Sequence, residues 1–342
     1  MRRLNYYPLA DVPFPLVFSL NYPFYFQIQV TERCNLRCKH CYVETKAVDM
    51  DFSLFVEAID NFRELLDLLR VRGTVYLSGG EPLLWPWIWD AIRLVRRKKI
   101  VPRILTNGTL ITPSIAKKIK KMGVKYVQVS LDGLRENHEY IRGKGTFRLA
   151  VMGIKNLVRA GIEVTVMVTL TKRNIGDIEA LVKLAEILGV KRISFQRLVP
   201  IGHGEELRNL MLSSKEIANI MKRLLRIETK VNIVKREPFW GIIYKIPGGC
   251  SAGHIGFALL PDGTILPCRR LPIPLGNIKE NSLIEIYFDH PIMKQLRNRN
   301  LSECSKCEYV MYCYGCRGIV YALTGKLSGR DPQCPKDFLA HH

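Results

Sequence analysis

The sequence predicts an α/β fold, in which six β/α units curve into a partial (β/α)6 barrel of the TIM type, followed by a small cysteine-rich domain. Three observations carry this prediction. Short runs rich in β-branched and aromatic residues alternate with amphipathic stretches from residue 24 to about residue 200. Three of those stretches end on a glycine that leads straight into the next apolar run. The ten cysteines form two groups, Cys34 to Cys41 and Cys250 onward, with none between.

The strands read in order as "FYFQIQV" (24–30), "VYLS" (75–78), "PRILT" (102–106), "YVQVSL" (126–131), "EVTVMVTL" (163–170) and "RISFQRL" (192–198). Each is short and apolar, as expected of a parallel strand buried on both faces. Helices over 53–70 and 176–188 carry the periodicity of one apolar face. Gly123, Gly161 and Gly189 supply left-handed helix ends before three of the strands. Thr112 with Pro113 opens one helix, and Ser213 with Glu216 forms a capping box for another. A doubly wound open sheet has the same alternation, and periodicity does not separate the two architectures. Either one places its chemistry in the loops after the strands.

The remaining chain divides into an arm over 1–23, a bridging helical segment over 201–240 and the cysteine-rich domain over 241–342. In that domain a hairpin turning at Asp262 and Gly263 puts Cys268 at a strand end. At 47% apolar residues and a mean hydropathy of +0.01, the chain reads as globular and soluble. No run approaches the roughly 18 apolar residues of a membrane span. Pro8, Asp11, Pro13 and Pro15 interrupt the apolar N-terminus, which reads as an uncleaved, irregular arm rather than a signal peptide, and the cytoplasm is the expected compartment. The net charge of +21 is spread over helical stretches such as 93–99 and 117–121, as solvated faces rather than a nucleic-acid stripe. In a reducing compartment, cysteines so clustered point to metal or catalysis and not to disulfides.

The strand-end loops are chemically specific. After the first strand come Cys34, Cys38 and Cys41, then "SGGEP" (78–82), "TNG" (106–108) and "SLDG" (130–133) after the next three. Zinc normally takes four ligands, and His40, adjacent to Cys41, would have to turn back sharply to be one. Three close thiolates suit three corners of a 4Fe–4S cluster, leaving one iron open. The run Cys304, Cys307, Cys313 and Cys316, read alone, also fits a zinc ribbon.

The spacing Cys34-x3-Cys38-x2-Cys41, with His40 before the last cysteine and "SGGEP" after the second strand, resembles the radical S-adenosylmethionine superfamily and its CxxxCxΦC signature. The resemblance covers residues 24 to about 200. It implies a 4Fe–4S cluster on those cysteines, with S-adenosylmethionine completing the open iron and yielding a 5′-deoxyadenosyl radical. It assigns Gly79, Gly80, Glu81 and Pro82 to the methionine amino group, and places Asn107, Ser130 and Asp132 near the methionine or ribose. Arg142 is the candidate for the carboxylate, and Tyr42 flanks the cofactor.

The C-terminal set, Cys250-x12-Gly263-x4-Cys268 and then the four-cysteine run and Cys334, resembles the SPASM extension with two auxiliary 4Fe–4S clusters. By that resemblance Cys304, Cys307, Cys313 and Cys334 hold one cluster, and Cys250, Cys268 and Cys316 the other. The last interval of the run is x2 where the family usually has x3. The second set has only three cysteines, and His254 is the residue to test as its fourth ligand. The family implies an enzyme, first a maturase that crosslinks or oxidises a ribosomally made peptide or protein. The alternative is maturation of a tetrapyrrole or a metal cofactor, as in haem-propionate decarboxylation. A ferredoxin or flavodoxin would supply electrons. An electron carrier or nucleic-acid binder would have no use for the "GGEP" and "SLDG" loops. No general acid or base is identified, and His203, Glu205 and Glu206 read as a solvated loop.

Overall fold

Strands β1 (Phe24–Gln29), β2 (Gly73–Ser78), β3 (Val101–Thr106), β4 (Tyr126–Ser130), β5 (Glu163–Leu170) and β6 (Arg192–Arg197) pair in sequence order, all parallel. The computed structural model describes residues 23–43, 48–245, 249–298 and 303–339, so the expected N-terminal arm lies outside the described residues apart from Pro23. A doubly wound sheet reverses its strand order at a switch point. From β1 to β6 the order does not reverse, so right-handed crossovers put the connecting helices on one face, and the sheet is an open, partial barrel.

The connecting helices are α1 (Phe52–Leu69), α2 (Ile88–Arg97), α3 (Pro113–Lys121), α4 (Arg135–Arg142), α5 (Thr146–Arg159) and α6 (Ile178–Ile187). Helix α1 buries Leu54, Phe55, Ala58, Ile59, Phe62, Leu65, Leu66 and Leu69. These recur at three- and four-residue spacing and form a single stripe against the sheet. The expected glycine ends hold, with Gly123, Gly161 and Gly189 at φ +78°, +72° and +71°.

The strands differ from expectation in one respect. In β5, Val164, Val166, Val168 and Leu170 are buried, while Glu163, Thr165, Met167 and Thr169 are half-buried. Only the outer face packs on helices, and the inner face lines a cavity. The strands are therefore not buried on both sides.

The bridging segment is not purely helical. It holds a 3-10 stretch over Gly202–Leu210, helix α7 (Ser214–Arg226) and a seventh parallel strand, β7 (Asn232–Val234), on β6. Its three-residue strand is too short to stand out from its basic flanks in the sequence. The predicted Ser213–Glu216 capping box opens α7.

After α8 (Trp240–Tyr244) the cysteine-rich region continues the same sheet. Strand β8 (Gly256–Leu259) pairs parallel with β1, and β9 (Thr264–Leu266) and β10 (Gly276–Asn277) follow antiparallel. Gly263 takes φ +93° in the expected hairpin, and Cys268 follows β9 by two residues. Helices α9 (Leu283–Asp289), α10 (Pro291–Asn298), α11 (Arg317–Thr324) and α12 (Lys336–Leu339) complete the described chain.

Two joints hold this region to the barrel. Phe24 of β1 packs on Phe62, Phe257 and Tyr287, at centroid distances of 6.1, 5.9 and 5.5 Å. Each such pair adds about 0.5–1.5 kcal/mol beyond its area burial. The second joint is ionic. Arg197, at the end of β6, donates to Glu237 at 2.9 Å and to Asp331 and Gln333 at 3.0–3.1 Å, all of them buried.

Candidate active site

The loops after β1 and β2 interlock through glycine. A Cβ on Gly79 would lie 2.5 Å from the Thr31 carbonyl oxygen, and one on Gly80 2.4 Å from that of Arg33. Only glycine permits this approach. The Gly80 and Glu81 amides donate to Thr31 and Arg33 carbonyls at 2.8 Å. This turn pins the backbone that carries Cys34, and its Gly80 and Glu81 amides are already spent on the protein. What it retains for a ligand is carbonyl oxygen.

Glu81 is fully buried and its carboxylate points toward the third loop. It accepts from Thr106 Oγ1 at 2.8 and 2.9 Å and from the Asn107 amide at 2.9 Å. Burial raises its carboxyl to about 7 against those donors. Pro82 opens a short 3-10 turn that Glu81 caps. Asn107, ordered by Glu81, donates to Asn35 at 2.9 Å and lies 3.9 Å from Cys34 Sγ. Glu81 thus aligns the β3 loop with the cysteine loop.

On the other side of the cysteines, Arg142 at the end of α4 donates through Nε to Asp132 Oδ2 at 2.6 Å. Its Nη1 lies 3.9 Å from Cys38 Sγ and its Nη2 3.4 Å from His40 Nε2. Burial by itself would raise the Asp132 carboxyl, but Arg142, His40, His138 and the Thr169 amide hold it down at about 2. Burial opposes the Arg142 charge, and Asp132 and Cys38 hold it protonated. Ser130, at the end of β4, lines the same cavity as Arg142. So does Tyr42, whose ring lies 5.0 Å from the Arg269 guanidinium. Burial raises the thiols of Cys34 and Cys38, the latter to about 11.

The seven C-terminal cysteines line two different cavities. Cys304, Cys307, Cys313 and Cys334 line one small cleft under Phe239 and Tyr314. Cys250, Cys268 and Cys316 line the main cavity, as do Cys34, Cys38 and Cys41. Cys316 is thereby parted from Cys313 although only two residues lie between them. The Gly315 turn, at φ +61°, makes that reversal, and Asp331 accepts from the Cys316 amide at 2.9 Å. His254, 7% exposed, lines the cavity with the three-cysteine set.

The donor sets suit iron–sulfur clusters. Among the described residues, no three Cys, His, Asp or Glu side chains converge tightly enough to hold a single metal ion. The thiols surround spaces instead, as ligands to separate irons of one cluster must. None of the described cysteines forms a disulfide.

The main cavity has a volume of about 1500 Å3 and opens at the barrel mouth. Ordinary ligand pockets span roughly 300–1,000 Å3. Among the described residues its lining is strongly cationic: nine arginines and Lys235 against one carboxylate, Glu237. Glu237 is itself taken up by Arg197 and by Arg270, at 2.9 and 3.1 Å. Tyr25, Tyr42, Tyr76, Tyr126 and Trp240 supply aromatic wall. Sequence reasoning missed Arg103, Arg197, Arg269 and Arg270. The one visible signal was "CRR", two arginines directly after Cys268. His203, Glu205 and Glu206 are exposed on the 3-10 stretch, with His203 at the cavity rim.

Four strand-end loops gather round a cysteine trio, and a second cysteine set lines the same cavity, an arrangement suited to an enzyme built on iron–sulfur chemistry. The profile of the radical SAM superfamily matches residues 28–185, and that of the SPASM iron–sulfur cluster-binding domain matches residues 250–308. The chain is similar to the AdoMet-dependent heme synthase of Methanosarcina barkeri (strain Fusaro / DSM 804), at 30% identity over 90% of this chain and 94% of that protein. It is also similar to the PqqA peptide cyclase of Ruegeria pomeroyi (strain ATCC 700808 / DSM 15171 / DSS-3), at 26% identity over 90% of this chain and 86% of that one. In fold it matches the crystal structure of native anSMEcpe with bound AdoMet, with a TM-score of 0.75 at 20% identity over 93% and 95% of the two chains. The chain belongs to the radical S-adenosylmethionine superfamily, carries a SPASM domain, and is an enzyme. Among the described residues no helix is long and apolar enough to cross a membrane.

Proposed function

We propose that this enzyme acts on a tetrapyrrole, removing a propionate carboxyl by hydrogen abstraction. One observation carries the proposal: the cavity walls are cationic and aromatic, and the one carboxylate among their described residues, Glu237, is already neutralised. A macrocycle with several carboxylates complements such a wall in charge and in flat apolar surface. A peptide backbone carries no comparable charge, so the peptide reading gains nothing from the arginines. The heme synthase similarity agrees with the tetrapyrrole.

Cys34, Cys38 and Cys41 would hold the first cluster, and the two C-terminal sets an auxiliary cluster each, three in all. Together with S-adenosylmethionine, the first supplies a 5′-deoxyadenosyl radical. The Gly79 and Gly80 carbonyls would accept the methionine ammonium, with Arg142 at the carboxylate and Asn107, Ser130 and Tyr42 around the ligand. Glu81 and Asp132 act one step back, as positioning residues for Asn107 and Arg142. Loss of a hydrogen atom, carbon dioxide and one electron converts a propionate to a vinyl group. The electron requires an acceptor near the substrate, and the Cys250, Cys268 and Cys316 set faces that space. A ferredoxin or flavodoxin would serve as reductant.

The test is anaerobic incubation with S-adenosylmethionine, a reductant and iron coproporphyrin. The expected product has lost carbon dioxide and two hydrogen atoms per propionate. A porphyrin of unchanged mass, beside a precursor peptide that loses two hydrogens, would replace this reading with peptide maturation.

A further inference from the structure

The geometry points to Arg103 and Arg269 as two separate carboxylate anchors, one deep in the barrel and one between the cysteine sets. They would grip different carboxylates of a single polyacid ligand. The inference rests on the tetrapyrrole reading and identifies the residues that orient the macrocycle.

Four arginines of the cavity wall have a carboxylate of their own. Arg142 has Asp132 at 2.6 Å, Arg192 has Glu163 at 2.8 Å, and Arg197 and Arg270 share Glu237. Arg103 and Arg269 have none within ion-pair distance among the described residues. Arg103 on β3 is flanked by the rings of Tyr76 and Tyr126 at 5.6 and 4.5 Å, and its buried Nε has no hydrogen-bond partner. Arg192 shares the Tyr126 ring at 5.6 Å but has its acid, so of the two arginines on that ring Arg103 is the one without a carboxylate. Arg269 is 8% exposed. It uses Nε on Gln29 Oε1 at 2.9 Å and Nη2 on the Tyr42 carbonyl at 3.2 Å, leaving Nη1 without a protein partner among the described residues. Arg269, largely removed from water without a counter-charge, and Arg103, with a buried and unpartnered Nε, would both be relieved by an anion in the cavity.

Their spacing favours a ligand with more than one carboxylate. Arg103 is in register with Tyr76, and Tyr76 with Gln27. Arg269 is held by Gln29, two residues further toward the mouth on β1, or about 6.6 Å along the strand. The two guanidiniums therefore mark different depths on different walls. Arg269 also adjoins Tyr42 and follows Cys268, which puts its carboxylate at the reacting end. The Arg103 carboxylate lies away from it.

The experiment is a visible-absorbance titration of cluster-loaded enzyme with coproporphyrin and with its tetramethyl ester. Wild type, Arg103→Gln, Arg269→Gln and the double variant are compared, with Arg→Lys at each position as the conservative replacement. Each Gln variant should weaken coproporphyrin binding by about tenfold or more, the size of a lost charged hydrogen bond. The double variant should approach the wild-type affinity for the ester, and Lys should recover part of each loss. Unchanged ester binding shows that the variants are folded. Wild type that binds no porphyrin overturns the tetrapyrrole reading itself. Wild type that binds, with variants indistinguishable from it, overturns the anchors alone.

Discussion

Arg142 Nε meets Asp132 Oδ2 at 2.6 Å, with both side chains nearly inaccessible and Cys38 Sγ 3.9 Å from the same guanidinium. The pair ties the end of α4 to the loop after β4, directly behind the cysteine trio. Removing the acid leaves a buried arginine charge facing the thiols. Asp132→Asn should cost about 3–5 kcal/mol in denaturant unfolding. It should also weaken S-adenosylmethionine binding by about tenfold, through the misplaced Arg142. Wild-type stability in this variant would show that the pair contributes nothing.

Glu81 gives a pH signature. Its folded-state carboxyl titrates near 7, above the ordinary 4.5, because burial outweighs the Thr106 and Asn107 donors. A raised carboxyl favours the fold while protonated, so its contribution is complete below about 4.5 and is lost as pH rises through 7. Relative to Glu81→Gln, wild type should lose about 3 kcal/mol across that window and nothing further above it. Denaturation midpoints of the two proteins from pH 4 to 8 provide the comparison, and parallel curves would contradict it.

The ionic joint is separable from the chemistry. Arg197→Ala strands Asp331 in the interior and leaves Glu237 to Arg270 alone, which should cost about 3–5 kcal/mol. Asp331 also accepts from the Cys316 amide, so a larger loss of iron from the three-cysteine site than from the barrel site is expected. Iron content and the unfolding midpoint, measured together, check both.

The cysteine sets make a stoichiometric prediction. Cys334→Ala should lose about four of roughly twelve irons per chain and spare the other two clusters. Cys316→Ala should remove a different four and alter the cluster that faces the cavity. If both variants gave one spectrum, Cys316 would belong with Cys304, Cys307 and Cys313.

The barrel was legible because each β/α unit announces itself locally, as in "KKMGVKYVQVSL" with its glycine turn. The three-residue β7 was not, since its place depends on pairing with Arg192–Ser194 of β6. Cys34, Cys38, Cys41 and the "GGEP" turn could be read because they are close in sequence. The use of Glu81 could not, because its partners Thr106 and Asn107 come from the next strand. Arg269 was hidden for the same reason. Its meaning depends on Gln29, 240 residues away, and on acids that are not beside it.

The most direct test of the central claim is isotopic. Iron coproporphyrin deuterated on its propionate carbons, turned over with S-adenosylmethionine and reductant, should deliver deuterium into 5′-deoxyadenosine. Unlabelled 5′-deoxyadenosine, formed at the same rate with and without the porphyrin, would contradict it.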